Sequence, residues 1–174
     1  MTNRKKKILV LTAVIVLTVL AVVLSYLGPY LLVLTVARPV RVEGDAMKPS
    51  LNNGDRIFVT PRFDSLERGD VVIFYYPLDT SKSYLKRIIG LPEEEIEIRG
   101  HKVFINSKLI EEPYINQAPQ LRPGDAPAMR IPAQEYFVMG DNRDYSADSR
   151  SFGTIPRNLI YGKYVFRYHT APPK

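Results

Sequence analysis

The sequence predicts a mostly β protein with a single N-terminal transmembrane helix and an all-β domain of curled antiparallel sheets behind it. An uncharged apolar run extends from Ile8 to Ala37, and short β-rich segments separated by turn residues follow it. No long helical period occurs after the apolar run, and the fourteen prolines fall mostly outside the β-rich segments, where they end strands. These observations predict one anchored domain built from strands.

The apolar run, residues 8–37, predicts a membrane anchor. Its best span is residues 8–27, because a helix needs about 20 apolar residues to cross a bilayer. Gly28-Pro29 should break or kink this helix. A cleaved secretory signal is the alternative, but the run exceeds the usual 7–15 apolar residues and no clean small-residue cleavage site closes it. We therefore expect an uncleaved anchor.

Charge predicts the orientation of the chain. Four basic residues, Arg4 to Lys7, precede the span, and positive residues favour the cytoplasmic side of a membrane. Residues 1–7 should thus lie in the cytoplasm, and residues 38–169 should form a domain on the extracytoplasmic face of the cytoplasmic membrane. Residues 170–174 are expected to be a frayed tail.

Composition excludes several kinds of chemistry. The chain has no cysteine, so disulfides, thiol catalysis and Cys-based zinc sites are excluded. His101 and His169 lack ligand-like spacing, and we expect neither a metal nor a cofactor. The net charge is +6 without a clustered basic face, which argues against nucleic-acid binding and favours contact with anionic membrane lipids.

The β-rich segments predict the strands of the domain. They are DRIFVT, DVVIFYY, LKRIIGL, EIEIRG, KVFIN, EYFVMGD and YGKYVFRYH. Tight turns are expected at residues 99–101 and at Asn106-Ser107. Residues 112–132 should form a long Pro-rich connection, either a mobile lid or a fixed cover.

Lys86 is the first candidate for chemistry. Alternation along its strand places it on one face with Tyr84 and Ile88, where burial would disfavour the ammonium and lower the pKa. A neutral lysine amine can act as a general base. The alternative is an ordinary surface lysine whose stem lies along the protein and whose charge reaches water.

Residues 139–156 form a second candidate, a turn crowded with polar residues. Asp148 and Arg150 could pair and hold the turn rigid, and Ser146 could hydrogen-bond a nearby amine. The alternative is a surface loop that only satisfies its own backbone.

Taken together, four motifs resemble those of the bacterial type I signal peptidases, which are membrane-anchored Ser-Lys proteases. They are AMKPSL (46–51), RGDVVIF (68–74), KRIIGLP (86–92) and GDNRDYSADSRSFG (140–153). Their order and spacing fit the family from the anchor to about residue 165. The resemblance implies a domain of the signal-peptidase fold and removal of signal peptides from exported preproteins, near the secretion translocase.

The resemblance also implies roles for individual residues. Position 46 is where the family has its nucleophilic serine, and the backbone N–H at this position contributes to the oxyanion hole. Lys86 would be the general base, Ser146 would orient it, and Asp148 and Arg150 would brace the site. Gly44 stands where some relatives have an assisting hydroxyl, so a backbone contribution is expected instead.

The implied substrate has small residues at the first and third positions before the cut and binds as an added strand. Family positions suggest five residues that line its pockets: Val42, Met47, Leu51, Tyr84 and Leu85. Ordinary core packing is the alternative for these five.

Ala46 is the one departure among the motif residues named above. Three explanations compete: an engineered Ser-to-Ala change, a natural non-catalytic relative that binds peptides or assists assembly, or another nucleophile such as Ser50 or Ser146. The last two residues occupy other places in the motifs and lack the required geometry. We favour engineering, because a chain that lost its function would also be expected to lose a costly buried lysine. We therefore expect an inactive chain.

Overall fold

The computed structural model describes residues 3–115 and 125–172. Two compact units divide the chain after Ala37, an N-terminal helical unit and a β unit that begins at Arg38. The first unit is one helix, α1 (Asn3–Val36). Within it, Leu11–Gly28 is long and apolar enough to cross a membrane.

Of the break or kink predicted at Gly28-Pro29, the break is wrong, because α1 continues to Val36. Proline removes one backbone N–H from the hydrogen-bond ladder, and apolar helices of membrane type tolerate that loss. The apolar residues after Pro29 carry no competing turn signal, so they extend the helix by almost two turns.

The second unit confirms the predicted fold class, since it consists of antiparallel strands with only short helical pieces among the described residues. The strands are β1 (Arg38–Arg41), β2 (Arg56–Thr60), β3 (Val71–Tyr76), β4 (Asp79–Gly90), β5 (Glu95–Arg99), β6 (Lys102–Ile105), β7 (Lys108–Leu109), β8 (Ala126–Arg130), β9 (Glu135–Met139), β10 (Ile155–Pro156) and β11 (Ile160–His169). The helical pieces are α2 (Ser149–Phe152) and a 3-10 turn, Arg157–Leu159.

These strands form two sheets. A seven-stranded sheet has the order β1-β2-β11-β3-β4-β9-β10, and a four-stranded sheet has the order β7-β6-β5-β8. The long strand β4 leads from the first sheet directly towards β5 of the second. The position of β4 between β3 and β9 places Lys86 in the interior of the larger sheet.

Three apolar clusters form the core. One packs Val72, Phe74, Ile88 and Val138 beneath the middle of the larger sheet. A second joins the smaller sheet to the back of β9. The third lies under β1 and β2 and includes residues of the loop between them. That loop is thus fixed by burial on one side.

Both predicted tight turns are present in the smaller sheet. Gly100 and His101 have positive φ angles of 56° and 62°, and Asn106 and Ser107 have 47° and 64°. Two consecutive positive φ angles are typical of the hairpin turn whose twist matches its flanking strands.

The prediction for residues 112–132 is wrong in its second half. Ala126–Arg130 forms β8 and pairs with β5 at the edge of the smaller sheet. The proline within this segment and the prolines on either side of it obscured the pattern of an edge strand. Residues 116–124, on which the choice between lid and cover depends, lie outside the described residues.

Candidate active site

The loop that contains Ala46 joins β1 to β2 and closes on itself. Val42 donates its backbone N–H to Asp55 O at 2.8 Å, and Gly54 donates to Val42 O at 2.8 Å. Gly44 has a φ of +82°, a conformation that favours glycine, so the chain can turn just before Ala46. These hydrogen bonds join the two ends of the loop, and residue 46 lies between them.

Asp55 fixes the base of this loop from a fully buried position. Its carboxylate accepts hydrogen bonds from Asn52 N at 2.9 Å, Ala171 N at 2.8 Å and Arg167 Nη1 at 2.8 Å. Burial alone would raise the pKa of Asp55, but these bonds lower it below its ordinary value. The ionised carboxylate thus ties the loop to the end of β11.

Lys86 lies on β4 with only 5% of its surface exposed. Burial lowers the pKa of its ammonium to about 8, while the Asp148 carboxylate opposes this change. Its Nζ donates to Leu85 O at 3.1 Å and lies 5.1 Å from the centre of the Tyr84 ring. A fraction of the amine is consequently neutral near physiological pH.

Gly140 is the point at which the candidate residues meet. Arg87 pairs with Met139 across β4 and β9, so the next residue, Gly140, lies beside Lys86 and shares its face. A Cβ built on Gly140 would lie 2.5 Å from Ala46 O and would also clash with Ser146 Oγ. The absence of a side chain at Gly140 therefore lets the loop of Ala46 and the segment of Ser146 reach the lysine face.

Asp148 and Arg150 form the expected ion pair, with Arg150 Nε 2.9 Å from Asp148 Oδ1. Asp148 is fully buried, caps α2 and accepts a hydrogen bond from Gly140 N at 3.1 Å through Oδ2. The pair thus fixes the backbone nitrogen of Gly140. Its role in the function stays a prediction.

Ser146 does not make the expected hydrogen bond to Lys86 in this structure. Its buried Oγ has no hydrogen-bond partner among the described residues, and Lys86 Nζ donates to Leu85 O. The hydroxyl nevertheless lies on the lysine's face of the sheet, next to Gly140. Its orienting role stays a prediction.

The peptide units around Ala46 are held by Asn142, a residue to which sequence reasoning assigned no role. Asn142 N donates to Ala46 O at 3.0 Å, and Asn142 Nδ2 donates to Asp45 O at 3.0 Å. Within the described part of the chain, the Ala46 N–H meets no acceptor. An N–H of this kind suits an oxyanion donor.

A second missed feature is the ion pair between Arg87 and Asp141. Arg87 Nε and Nη2 bind the carboxylate in two-pronged fashion at 2.8 and 2.6 Å, and Nη1 donates to Gly69 O at 2.7 Å. Asp141 is buried, so the pair fixes β4 to the turn after β9. The available signal was alternation, which directs Arg87 to the face opposite Lys86 in an otherwise apolar segment.

The five predicted pocket residues differ in exposure. Val42, Met47 and Leu51 are at most 3% exposed and belong to the third core cluster. Tyr84 and Leu85 are only partly buried. Core packing therefore accounts for the first three, and contact with a substrate stays a prediction for all five. In the described ranges, no group of three His, Asp or Glu side chains is placed to bind a metal ion.

Known proteins resemble this chain over most of its length. Its sequence matches the family described as signal peptidase, peptidase S26, over residues 10–169. Signal peptidase IB of Staphylococcus aureus (strain COL) is 31% identical over 177 residues, which cover 91% of this chain and 89% of the relative. Signal peptidase I of Bacillus amyloliquefaciens is 43% identical over 142 residues, which cover 74% of this chain and 72% of the relative.

A solved structure agrees with these relatives. The crystal structure of a signal peptidase I from Enterococcus faecalis V583 has a TM-score of 0.50 and 28% sequence identity. The similarity covers 58% of this chain and 97% of that one.

Proposed function

The chain belongs to the signal peptidase family, peptidase S26, and from this premise we propose a membrane-anchored, Ser-Lys type signal peptidase whose nucleophile position is occupied by Ala46. The parent activity is hydrolysis of the peptide bond that joins a signal peptide to an exported protein. The chain as it stands binds such substrates and does not cut them, because a methyl group cannot attack a carbonyl.

One observation carries this proposal. The carbonyl of Ala46 and the hydroxyl of Ser146 converge on Gly140, on the face of the sheet from which Lys86 projects. The lysine is buried and has a pKa of about 8. A serine at position 46 would therefore stand close to a base whose neutral form is populated near pH 7.

The proposed mechanism uses the residues at this meeting point. In the Ala46→Ser variant, the introduced hydroxyl would attack the scissile carbonyl as Lys86 Nζ takes its proton. The lysine would return that proton to the leaving amine as the C–N bond breaks, which leaves the signal peptide joined to residue 46 as an ester. A water molecule, deprotonated by the same amine, would then hydrolyse the ester and free the side chain. The N–H of residue 46 would donate to the oxyanion, a contribution worth about 3–4 kcal/mol in comparable proteases. Ser146 orients the amine, and Asp148 with Arg150 holds the turn.

The proposed substrate is the signal peptide of an exported preprotein, cut after small residues at the first and third positions. It would lie extended against the sheet, and Tyr84 and Leu85 are the two partly exposed residues among the five predicted pocket residues. Residues 8–37 serve as anchor, with residues 1–7 in the cytoplasm and residues 38–169 outside. The apolar helix and the basic start of the chain support this orientation.

We infer that Ala46 replaces a serine in an otherwise intact enzyme. Burial of a lysine ammonium costs stability, and the chain retains Lys86 despite that cost. It also keeps Ser146 and the Asp148–Arg150 pair in place. Retention of the lysine, its neighbours and the braces together favours a single recent replacement.

Cleavage of a preprotein in liposomes tests the proposal. The Ala46→Ser variant should cut after small residues, as determined by N-terminal sequencing of the product, and Lys86→Ala in that variant should abolish cutting at every pH. An intact preprotein after incubation with Ala46→Ser, under conditions where an authentic signal peptidase cuts, would refute the proposal.

A natural, non-enzymatic peptide-binding factor is the second candidate function, and Ala46 itself is the observation that favours it. Both candidates expect the unmodified chain to bind signal peptides, as measured by calorimetry or crosslinking. Only the first candidate expects cleavage after Ala46→Ser.

A further inference from the structure

A buried ion pair joins the smaller sheet to the turn that carries the site. Glu112 follows β7, and Arg143 lies in the turn after β9. Their side chains are 5% and 3% exposed, and Arg143 donates through both Nη1 and Nη2 to the carboxylate, with a distance of 3.1 Å between Nη1 and Oε2. This pair lies outside the motif residues to which a role was assigned.

Arg143 connects this ion pair to Gly140. Its Nε donates to Gly140 O at 3.2 Å, while Asp148 accepts from Gly140 N at 3.1 Å. Gly140 is thus fixed on both sides, by an arginine at its oxygen and by an aspartate at its nitrogen. The backbone oxygen of Arg143 also accepts from Arg150 Nη2 at 2.6 Å, which closes the turn.

Tyr114 contacts the other side of the same turn. Its hydroxyl donates to Glu112 Oε1 at 3.0 Å, and its ring centre lies 4.1 Å from Arg87 Cζ. Arg87 in turn holds Asp141, the residue next to Gly140. Residues 112–114, which we name the strap, therefore hold the turn through two arginines.

Stability alone does not explain such a pair. Burying a carboxylate and a guanidinium costs desolvation energy, and replacing a buried ion pair by apolar residues of similar volume is often neutral or stabilising. What apolar residues cannot supply is a directed donor to Gly140 O. The geometry of the pair thus matters more than its contribution to folding.

We propose that Glu112 and Tyr114 are positioning residues, which act through Arg143 and Arg87 to hold Gly140 where residue 46, Ser146 and Lys86 can meet. This inference rests on the proposed function. It assigns the strap to the chemical step, since the hydrogen bond, ion pair and cation–π contact described for Glu112 and Tyr114 lead to the turn that holds Gly140 and not to a predicted pocket residue.

The test compares Glu112→Gln with Glu111→Gln, both in the Ala46→Ser background, in liposomes with one preprotein. Glu112→Gln should lower kcat at least tenfold and change KM less than twofold. The reason is that Arg143 loses its counter-charge, so its guanidinium is no longer oriented to donate to Gly140 O. Glu111 is the exposed neighbour of the same chemistry, and its variant should keep kcat within twofold. Equal kcat values for the two variants would overturn the inference.

A double variant, Glu112→Leu with Arg143→Met, separates positioning from stability. It removes the unpaired charge, so its unfolding temperature should recover relative to Glu112→Gln, while kcat stays low because nothing donates to Gly140 O. Recovery of kcat together with the unfolding temperature would show a merely structural pair. If Glu112→Gln fails to fold, the kcat of the double variant still tests the inference.

Tyr114 gives an independent test. Tyr114→Phe keeps the ring over Arg87 and should keep kcat within about threefold, whereas Tyr114→Leu should lower it more than Tyr114→Phe does. An equal effect of the two variants would exclude the ring as a positioning group. Inactivity of Ala46→Ser by itself would refute the proposed function instead, and so the two failures are distinguishable.

Discussion

Lys86 lies in an environment that differs clearly from that of an ordinary surface lysine. Alternation along its strand left burial and a surface position both open, and the structure places Lys86 in the interior of the larger sheet. The alternative prediction for Lys86 was a surface lysine with its charge in water. That prediction is wrong, because only 5% of the residue's surface is exposed. A buried amine of this kind should reveal itself through pH in two separate ways.

The first is the rate of cleavage. In the Ala46→Ser variant only the neutral amine can accept the serine proton, so kcat should rise with pH through a midpoint of about 8. The measurement is a pH–rate profile on one preprotein in liposomes. A profile that stays flat from well below to well above this midpoint would show that Lys86 is not the base.

The second is stability in the unmodified chain. The folded pKa of about 8 lies below the ordinary value of 10.5, so the folded state carries a costly ammonium below pH 8 and loses that cost as pH rises past 10.5. Lys86→Met should thus stabilise the protein by up to about 3 kcal/mol at neutral pH, and by little above the ordinary pKa. Chemical unfolding in detergent at both pH values checks this, and a stability gain that does not depend on pH would contradict it.

Gly140 offers a steric prediction at the same scale. A methyl group there would lie 2.5 Å from Ala46 O, far inside contact distance, and would overlap Ser146 Oγ as well. Gly140→Ala in the Ala46→Ser background should therefore abolish cleavage by forcing the two segments apart. Gly28→Ala is the matched control, because a Cβ there meets nothing within 4 Å. Cleavage by Gly140→Ala at the rate of the control would contradict the described convergence.

At the scale of elements, the loop between β1 and β2 depends on one carboxylate. Asp55→Asn keeps the shape of the side chain but loses the charge that pairs with Arg167, and it leaves a buried group imperfectly satisfied. The free energy of unfolding should fall by about 1–3 kcal/mol. Because the pKa of Asp55 is lowered by folding from 3.8, its contribution is present above that pH and is lost as pH falls below the folded pKa.

Unfolding of Asp55→Asn and the unmodified chain at neutral and at low pH measures this contribution. The difference between the two proteins should shrink on acidification. A difference that persists at low pH would assign the effect to shape instead of charge.

The elements also mark where sequence reasoning succeeded. Long strands such as β3 and β11 carry enough β-branched and aromatic residues to be recognised alone, and the fold class followed from them. Two-residue strands such as β7 and β10 exist only because a neighbouring strand pairs with them, so no local pattern could predict them. The edge strand β8 was hidden by its prolines.

The residues of the site also divide into those that a local sequence pattern reveals and those that depend on tertiary contacts. Lys86 was found because its chemistry departs from its apolar surroundings, and position 46 was identified through the resemblance of the motif around it. Gly140, Asn142 and Glu112 act through backbone contacts and through partners distant in sequence. Such contacts depend on tertiary structure, and a single sequence does not reveal them.

At the scale of the whole molecule, the proposed orientation can be tested without background labelling, since the chain has no cysteine. Single cysteines at Asn3 and Leu78 would probe the two proposed sides of the membrane. A membrane-impermeant maleimide should label Leu78→Cys in intact cells and label Asn3→Cys only after permeabilisation. The opposite pattern would reverse the proposed topology.

The protein's central proposed property is a complete signal peptidase site that lacks only one oxygen atom. The most direct test is the initial rate at which the unmodified chain and Ala46→Ser cut the same preprotein in liposomes. Restoring the hydroxyl should raise the rate by several orders of magnitude, since losing a serine nucleophile costs on the order of a million-fold in a comparable protease. Equal rates for the two proteins, whether both zero or both substantial, would contradict it.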